Sequence, residues 1–142
     1  MIKTRRIIDA PYPSNFLFDI AQDVENYPYF LPHCIGARIR EKGKDLWRVE
    51  NVYRWGPASY KFITHADVRP HSTIHITSAP SEPIQLEVKW SFEEITESQT
   101  QITFEMGFAT RLPLLEKLVG GMLDQIAEET EHAFLKRAQS LS

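Results

Sequence analysis

Along this chain the spacing of apolar side chains changes period twice, and each change marks a change of secondary structure. Residues 2–9 read as a short strand, closed by Ala10-Pro11-Tyr12-Pro13. Ser14 offers an N-cap for a helix over residues 15–22, where Phe16, Leu17, Ile20 and Ala21 share one face. Asp23 can cap a second short turn over residues 24–27, which Pro28 limits because proline disfavours helix in the residue before it. Pro32 gives a further stop.

From Cys34 the period is two. Residues 34–42 alternate loosely, and Gly43-Lys44-Asp45 makes a turn. Trp47, Val49, Asn51, Tyr53 and Trp55 share a face of the next strand, which Gly56-Pro57 breaks. Tyr60, Phe62, Thr64, Ala66 and Val68 line one face of the strand after it, and residues 73–77 form another. The clearest strand is 84–92, with Ile84, Leu86, Val88, Trp90 and Phe92 on one side and Gln85, Glu87, Lys89 and Ser91 on the other. Ile102, Phe104, Met106 and Phe108 repeat that pattern. The last thirty or so residues then take a helical period. Pro113 suits a first helical turn, and Leu115, Leu118, Val119, Met122, Ile126, Ala133, Phe134 and Leu141 trace one stripe.

The order is therefore strand, two short helices, six strands and a long C-terminal helix. Strands joined by short turns pair antiparallel. A twisted seven-stranded sheet with one apolar face needs a cover, which the long helix supplies. The class is α+β, and 142 residues without repeat, linker or low-complexity tract read as one domain. Gly120-Gly121 near the start of the helix has two readings: a kink, or a helix proper that begins near Met122.

Composition narrows the classes of function. At 42% hydrophobic and 25% charged residues, the chain has the make-up of an ordinary folded domain. No apolar run approaches the roughly 18 residues of a membrane span, and MIKTRRII has no apolar stretch behind it to make a secretory signal. One cysteine, Cys34, allows neither an internal disulfide nor a cysteine-cluster zinc site, so the cytoplasm is the expected compartment. A net charge of −3 argues against a general polyanion binder. The cations nevertheless gather toward the N-terminus.

Enzyme signatures are missing. There is no G-x-S-x-G, Walker A, G-x-G-x-x-G or H-E-x-x-H sequence. His71 and His75 fall in a turn and a strand with no third metal ligand apparent. His33 and Cys34 are adjacent on extended chain and point apart, so Cys34 reads as a packed thiol. Glu128, Glu129 and Glu131 read as a solvated helix face, and His65 and Asp67 as a surface pair. No catalytic residue and no required metal or cofactor is expected.

Three stretches carry a family resemblance. Asp23-Val24-Glu25-Asn26-Tyr27-Pro28-Tyr29-Phe30-Leu31-Pro32-His33-Cys34 resembles the D-V-x-x-Y-P-x-F-L-P-W-C signature of the coenzyme Q-binding START-domain family. The bacterial branch of that family includes the ribosome-association toxins. Ala133-Phe134-Leu135-Lys136-Arg137-Ala138 resembles its A-F-x-x-R-A, and Trp90-Ser91-Phe92 its W-x-F strand. The chain departs from the pattern at His33, where the family usually has Trp, and in residues 79–83, which lack a G-P-F.

The resemblance implies the helix-grip (START/Bet v 1-like) fold, shared with polyketide cyclases: a curved sheet wrapped round the C-terminal helix with a gap that takes an apolar ligand. The residues expected to line that gap are Val49, Tyr53, Phe62, Trp90, Phe104, Met106 and Phe108 on the sheet, with Met122 and Ile126 on the helix. Each aromatic taken singly reads more readily as core, and only the set points to a pocket. Tyr27, Phe30 and Leu31, in a Pro-bracketed loop, are either the entrance to the gap or a hydrophobic plug. The expected ligand is a ubiquinone-type polyprenyl quinone or another lipid, carried in support of respiration, with peripheral contact at the inner membrane face. Arg38, Arg40 and Lys42 alternate and, with Lys44, form an exposed basic face. In the helix-grip fold the first two strands are neighbours, which would add Lys3 and Arg5. That face suits anionic headgroups or large-subunit ribosomal RNA, or serves solubility alone. A ribosome-binding regulator and a cyclase or dehydratase are the alternative functions.

Overall fold

The computed structural model covers residues 1–142. Seven antiparallel strands form one sheet: β1 (Ile2–Ala10), β2 (Cys34–Lys42), β3 (Leu46–Trp55), β4 (Ala58–Arg69), β5 (Thr73–Ser78), β6 (Ile84–Thr96) and β7 (Gln99–Thr110). Their spatial order is β1-β7-β6-β5-β4-β3-β2. Consecutive strands pair through short turns, and β1 closes on β7. Thus β1 and β2 lie at opposite edges of the sheet. Lys3 and Arg5 do not join the cations of β2, contrary to expectation.

The inner face of the sheet is a grid of apolar cross-strand pairs. Ala66, Ile76, Val88 and Met106 face one another in turn across β4, β5, β6 and β7. The next row runs Val68, Ile74, Trp90, Phe104. Trp90 and Phe104 are almost fully buried. Such pairs, more than strand propensity, fix the register, because a slip of one residue would turn the whole apolar set outward.

Between the two edges the chain crosses through α1 (Ser14–Gln22) and a 3-10 helix, Val24–Tyr29. Ser14 is not the cap: it is the first helical residue, and Pro13 holds the cap position with extended backbone. Pro28 lies inside the 3-10 helix without ending it. That helix stops one residue later, at Tyr29, beyond which the amides of Phe30 and Leu31 both donate to the Tyr27 carbonyl.

The C-terminal stripe forms two helices, α2 (Pro113–Gly120) and α3 (Leu123–Leu141). Both readings of the glycine pair hold in part, since α3 starts beside Met122 but the preceding segment is helical as well. A Cβ on Gly120 would sit 2.7 Å from Ile2 Cδ1, so the missing side chain lets α2 approach the first strand. α3 crosses β1 and β7, and its Phe134 ring lies 4.8 Å from that of Trp90. The Arg6 Nε–H donates to Glu131 Oε1 at 2.7 Å, tying β1 to α3. Glu131 is therefore an ion-pair partner and not part of a solvated face. No helix is long and apolar enough to cross a membrane.

Candidate functional site

The inner face of the sheet and the covering helices do not meet everywhere. Between them is a cavity of about 40 Å³ lined by 22 residues, 17 of them hydrophobic. β3 to β7 supply one wall, α2 and α3 supply Val119, Leu123, Ile126 and Thr130, and the segment from Val24 to His33 closes one side. No Lys, Arg, Asp or Glu lines it. Each water needs roughly 10–15 Å³ by this measure, so the space suits a few waters as it stands. A lipid-sized guest requires the walls to part.

Of the residues expected to line the gap, Val49, Tyr53, Trp90, Phe104, Met106, Phe108 and Ile126 come together round the cavity. Phe62 does not reach it. Its ring is buried against Trp55, 6.1 Å between centroids, and Tyr53, at 5.5 Å. Met122 caps α3 in the break between the helices and also stands apart. At the expected entrance, Tyr27 and Leu31 line the cavity. Phe30 instead stands edge-on behind Tyr27, at 6.0 Å, with the Arg137 guanidinium 5.3 Å from its ring centre. Trp55, Leu86 and Val88 line the cavity too; the strand alternation had already placed them on its face. Val24, Pro32 and His33 gave no such signal, because irregular chain has no period to read.

The polar groups inside are mostly committed. Asn51 Nδ2 donates to Thr64 Oγ1 at 2.9 Å and lies within reach of the Val49 and Phe62 carbonyls. The Thr130 hydroxyl donates to the Ile126 carbonyl. The Tyr27 hydroxyl donates to the Ala21 carbonyl. Burial pushes the phenols of Tyr27 and Tyr53 well above their ordinary pKa and the Cys34 thiol up to about 11, so all three stay neutral near pH 7. Two lining groups are exceptions: the indole N–H of Trp90, deep inside, and Nε2 of His33, at the rim, find no hydrogen-bond partner among the protein's own atoms. At the rim His33 takes a left-handed backbone, φ 69°. Its Nε2 lies 3.5 Å from Glu129 Oε2, so Glu129 also has a partner and is not simply solvated.

The basic face is less coherent than the alternation suggested. A register shift between Ile39 and Glu41 inserts one residue into β2. Beyond such a bulge the side chains change sides. Arg38 pairs with Glu50 in the ladder, whereas Lys42 pairs with the inward-facing Trp47, and its Nζ sits 4.4 Å from that ring centre. Arg40 bonds Glu50 at 2.8 Å, with Lys61 on the same carboxylate at 3.6 Å. Arg38, Arg40, Lys42 and Lys44 are all exposed, with Arg38 and Lys44 the two not engaged by a carboxylate or a ring. No group of three or more His, Cys, Asp or Glu is placed to hold a metal ion.

A curved antiparallel sheet, a long C-terminal helix across it and an apolar cavity between them define the helix-grip class. Within that class the chain belongs to the polyketide cyclase/dehydrase and lipid transport family, whose model matches residues 10–135. A relative from Pseudomonas aeruginosa named ribosome association toxin RatA is 31% identical over 131 residues, covering 92% of this chain and 91% of its own. A relative from Escherichia coli O6:H1 named persistence and stress-resistance toxin PasT is 26% identical over 133 residues, covering 93% and 84%. Among solved structures, a START superfamily protein from Mycobacterium smegmatis matches with TM-score 0.78 at 17% identity, over 99% of both chains. The Zhui aromatase/cyclase from Streptomyces sp. R1128 matches with TM-score 0.80 at 16% identity, over 96% and 93%. At such identities the two structures speak for the fold alone.

Proposed function

We propose that this protein holds a neutral, apolar small molecule between its sheet and α3, a ubiquinone-type polyprenyl quinone fitting best, and acts as its carrier in support of respiration. The observation that carries this is the lining: 17 of 22 residues hydrophobic and none of them a Lys, Arg, Asp or Glu. Such a wall favours a guest that gains by leaving water, at roughly 25 cal/mol per Å² of apolar surface, and penalises an ionised one. The family's own description includes lipid transport. No covalent step is needed. Asn51 and Thr64, the polar groups a cyclase would draw on, are bonded to each other, and the buried phenols and thiol are neutral. The guest enters as the walls part beside Leu31, Pro32 and His33, and the cytoplasm, with docking at the inner membrane face, is the setting this requires.

Titration calorimetry with decylubiquinone tests the reading. Saturable binding with a negative heat-capacity change is expected, the mark of buried apolar surface. Absence of binding up to the solubility of the quinone would overturn it.

A second reading, association with the ribosome, is favoured by the names of relatives such as the Pseudomonas aeruginosa protein. The exposed cations Arg38 and Lys44 would be its contacts, with large-subunit RNA as the partner. Salt separates the two. Co-sedimentation with ribosomes through phosphate contacts would weaken steeply as salt rises, whereas quinone binding would not.

A further inference from the structure

Resting on the reading that the cavity takes an apolar ligand, we propose that the Trp90 indole N–H is its recognition donor, so that the site selects neutral molecules presenting a carbonyl oxygen.

Trp90 is wholly buried, and its ring lines the cavity. The ring is clasped between Phe104, 4.6 Å away, and Phe134, 4.8 Å away. It therefore cannot swing its N–H out to solvent. A donor buried without an acceptor is costly, and native interiors rarely keep one without a use. The Tyr27 hydroxyl is one polar group beside it. The indole acts to lower the phenol's pKa against the larger effect of burial, yet the pair does not reach hydrogen-bond geometry. The phenol's own proton is committed to the Ala21 carbonyl.

The other donors deep in the cavity are used, and the unpartnered His33 Nε2 stands at the rim beside Glu129. The Asn51 amide serves Thr64 and two strand carbonyls, and the Thr130 hydroxyl is turned back onto its own helix. That leaves Trp90 with a fixed N–H, unpartnered by the protein, beside an apolar space. The complementary group is an acceptor oxygen. With no Lys or Arg in the lining, and with His33 at the rim facing Glu129, a carboxylate beside Trp90 would lose its hydration without a counter-charge, so the acceptor is uncharged. A ketone or quinone carbonyl on an apolar ring satisfies both demands.

The test compares 2-methyl-1,4-naphthoquinone with 2-methylnaphthalene, which has the same carbon skeleton without the carbonyls. The chain has 3 Trp, so 15N-tryptophan labelling gives three indole signals, and Trp90→Phe assigns one by its loss. Both compounds should bind, the quinone about tenfold more tightly, as one satisfied buried donor allows. Only the quinone should move the Trp90 N–H proton downfield. Trp90→Phe should bring the two affinities together, and the parent's spectrum decides the matter if that variant does not fold. Decanoate should bind more weakly than either. Equal responses of the Trp90 signal to both compounds, or a quinone preference kept in a folded Trp90→Phe, would overturn this inference and leave the cavity reading intact. Decanoate binding as tightly as the quinone would overturn the selection for neutral molecules. Failure of both ring compounds to bind would overturn the cavity reading itself.

Discussion

His33 and Glu129 face each other across the cavity rim, with Nε2 of the imidazole 3.5 Å from Oε2 of the carboxylate. This is within ion-pair range but is not a hydrogen bond. The other ring nitrogen lies 3.2 Å from the Arg54 carbonyl, and the Arg54 amide donates back to the His33 carbonyl at 2.8 Å. The segment that closes the cavity is thus pinned to β3 on one side and strapped to α3 on the other. Glu129→Ala cuts the strap, together with one exposed hydrogen bond from Gln125 on the same helix. Half-exposed pairs of this kind contribute roughly 0–1 kcal/mol, so thermal stability should change little. Release of bound decylubiquinone, followed by stopped-flow tryptophan fluorescence, should become faster. An unchanged release rate would mean that entry does not pass this rim.

The thiol of Cys34 gives a pH signature. The unfolded thiol ionises near pH 8.5, but burial keeps the folded one neutral up to about 11. Between those values the unfolded state sheds a proton that the folded state retains, so stability falls as pH rises through the window. The loss amounts to about 2–3 kcal/mol at its upper end. Tyr27 and Tyr53, also pushed up by burial, deepen it above about pH 10. Denaturation curves at pH 7.5, 9 and 10.5 should show this decline, and Cys34→Ala should remove its lower part. A Cys34 that reacts with iodoacetamide at pH 8 as fast in the native protein as in urea would contradict the burial argument.

Two glycines should respond oppositely to alanine. Gly56 turns the β3–β4 hairpin at φ 64°, and a Cβ there would meet Leu118 Cδ2 at 2.9 Å. Gly56→Ala should cost about 1–2 kcal/mol, from the left-handed backbone together with the clash. Gly121 has ordinary helical angles, φ −76° and ψ −12°, and its Cβ would come no closer than 3.4 Å to another atom. Gly121→Ala should raise stability by about 0.4–1 kcal/mol by restricting the unfolded chain. Urea midpoints for the two variants check both signs.

Alternation carries the fold in this sequence. The nine-residue run from Ile84 to Phe92 places every inward residue of β6, and β7 follows the same rule through Phe104 and Met106. Where the backbone departs from regular pleating, the sequence is silent. The register shift in β2 leaves no mark in the spacing of Arg38, Arg40 and Lys42, yet it sends Lys42 onto Trp47 and divides the basic face. Phe62 shows a second limit. It lies on the correct face of β4, but a period says which side a residue takes and not whether another ring, here Trp55 or Tyr53, stands in front of it. The glycine pair shows a third. The stripe of apolar residues runs unbroken through Gly120 and Gly121 and shows neither the break between α2 and α3 nor the close approach of Ile2 to Gly120, a contact from the far end of the chain.

The methionines offer the most direct test of the central claim, that an apolar ligand enters the space between sheet and helix. The chain has 3 Met, and they report from different places. Met106 lines the cavity, Met122 sits in the break before α3, and Met1 is exposed. In protein labelled with 13C at the methionine methyl groups, titration with decylubiquinone should shift the Met106 signal in a saturable way, with Met1 and Met122 nearly still. Met106→Trp, which fills the space, should abolish the binding. A Met106 signal that stays fixed while the quinone binds, or a folded Met106→Trp variant that binds as well as the parent, would place the ligand elsewhere and contradict the account.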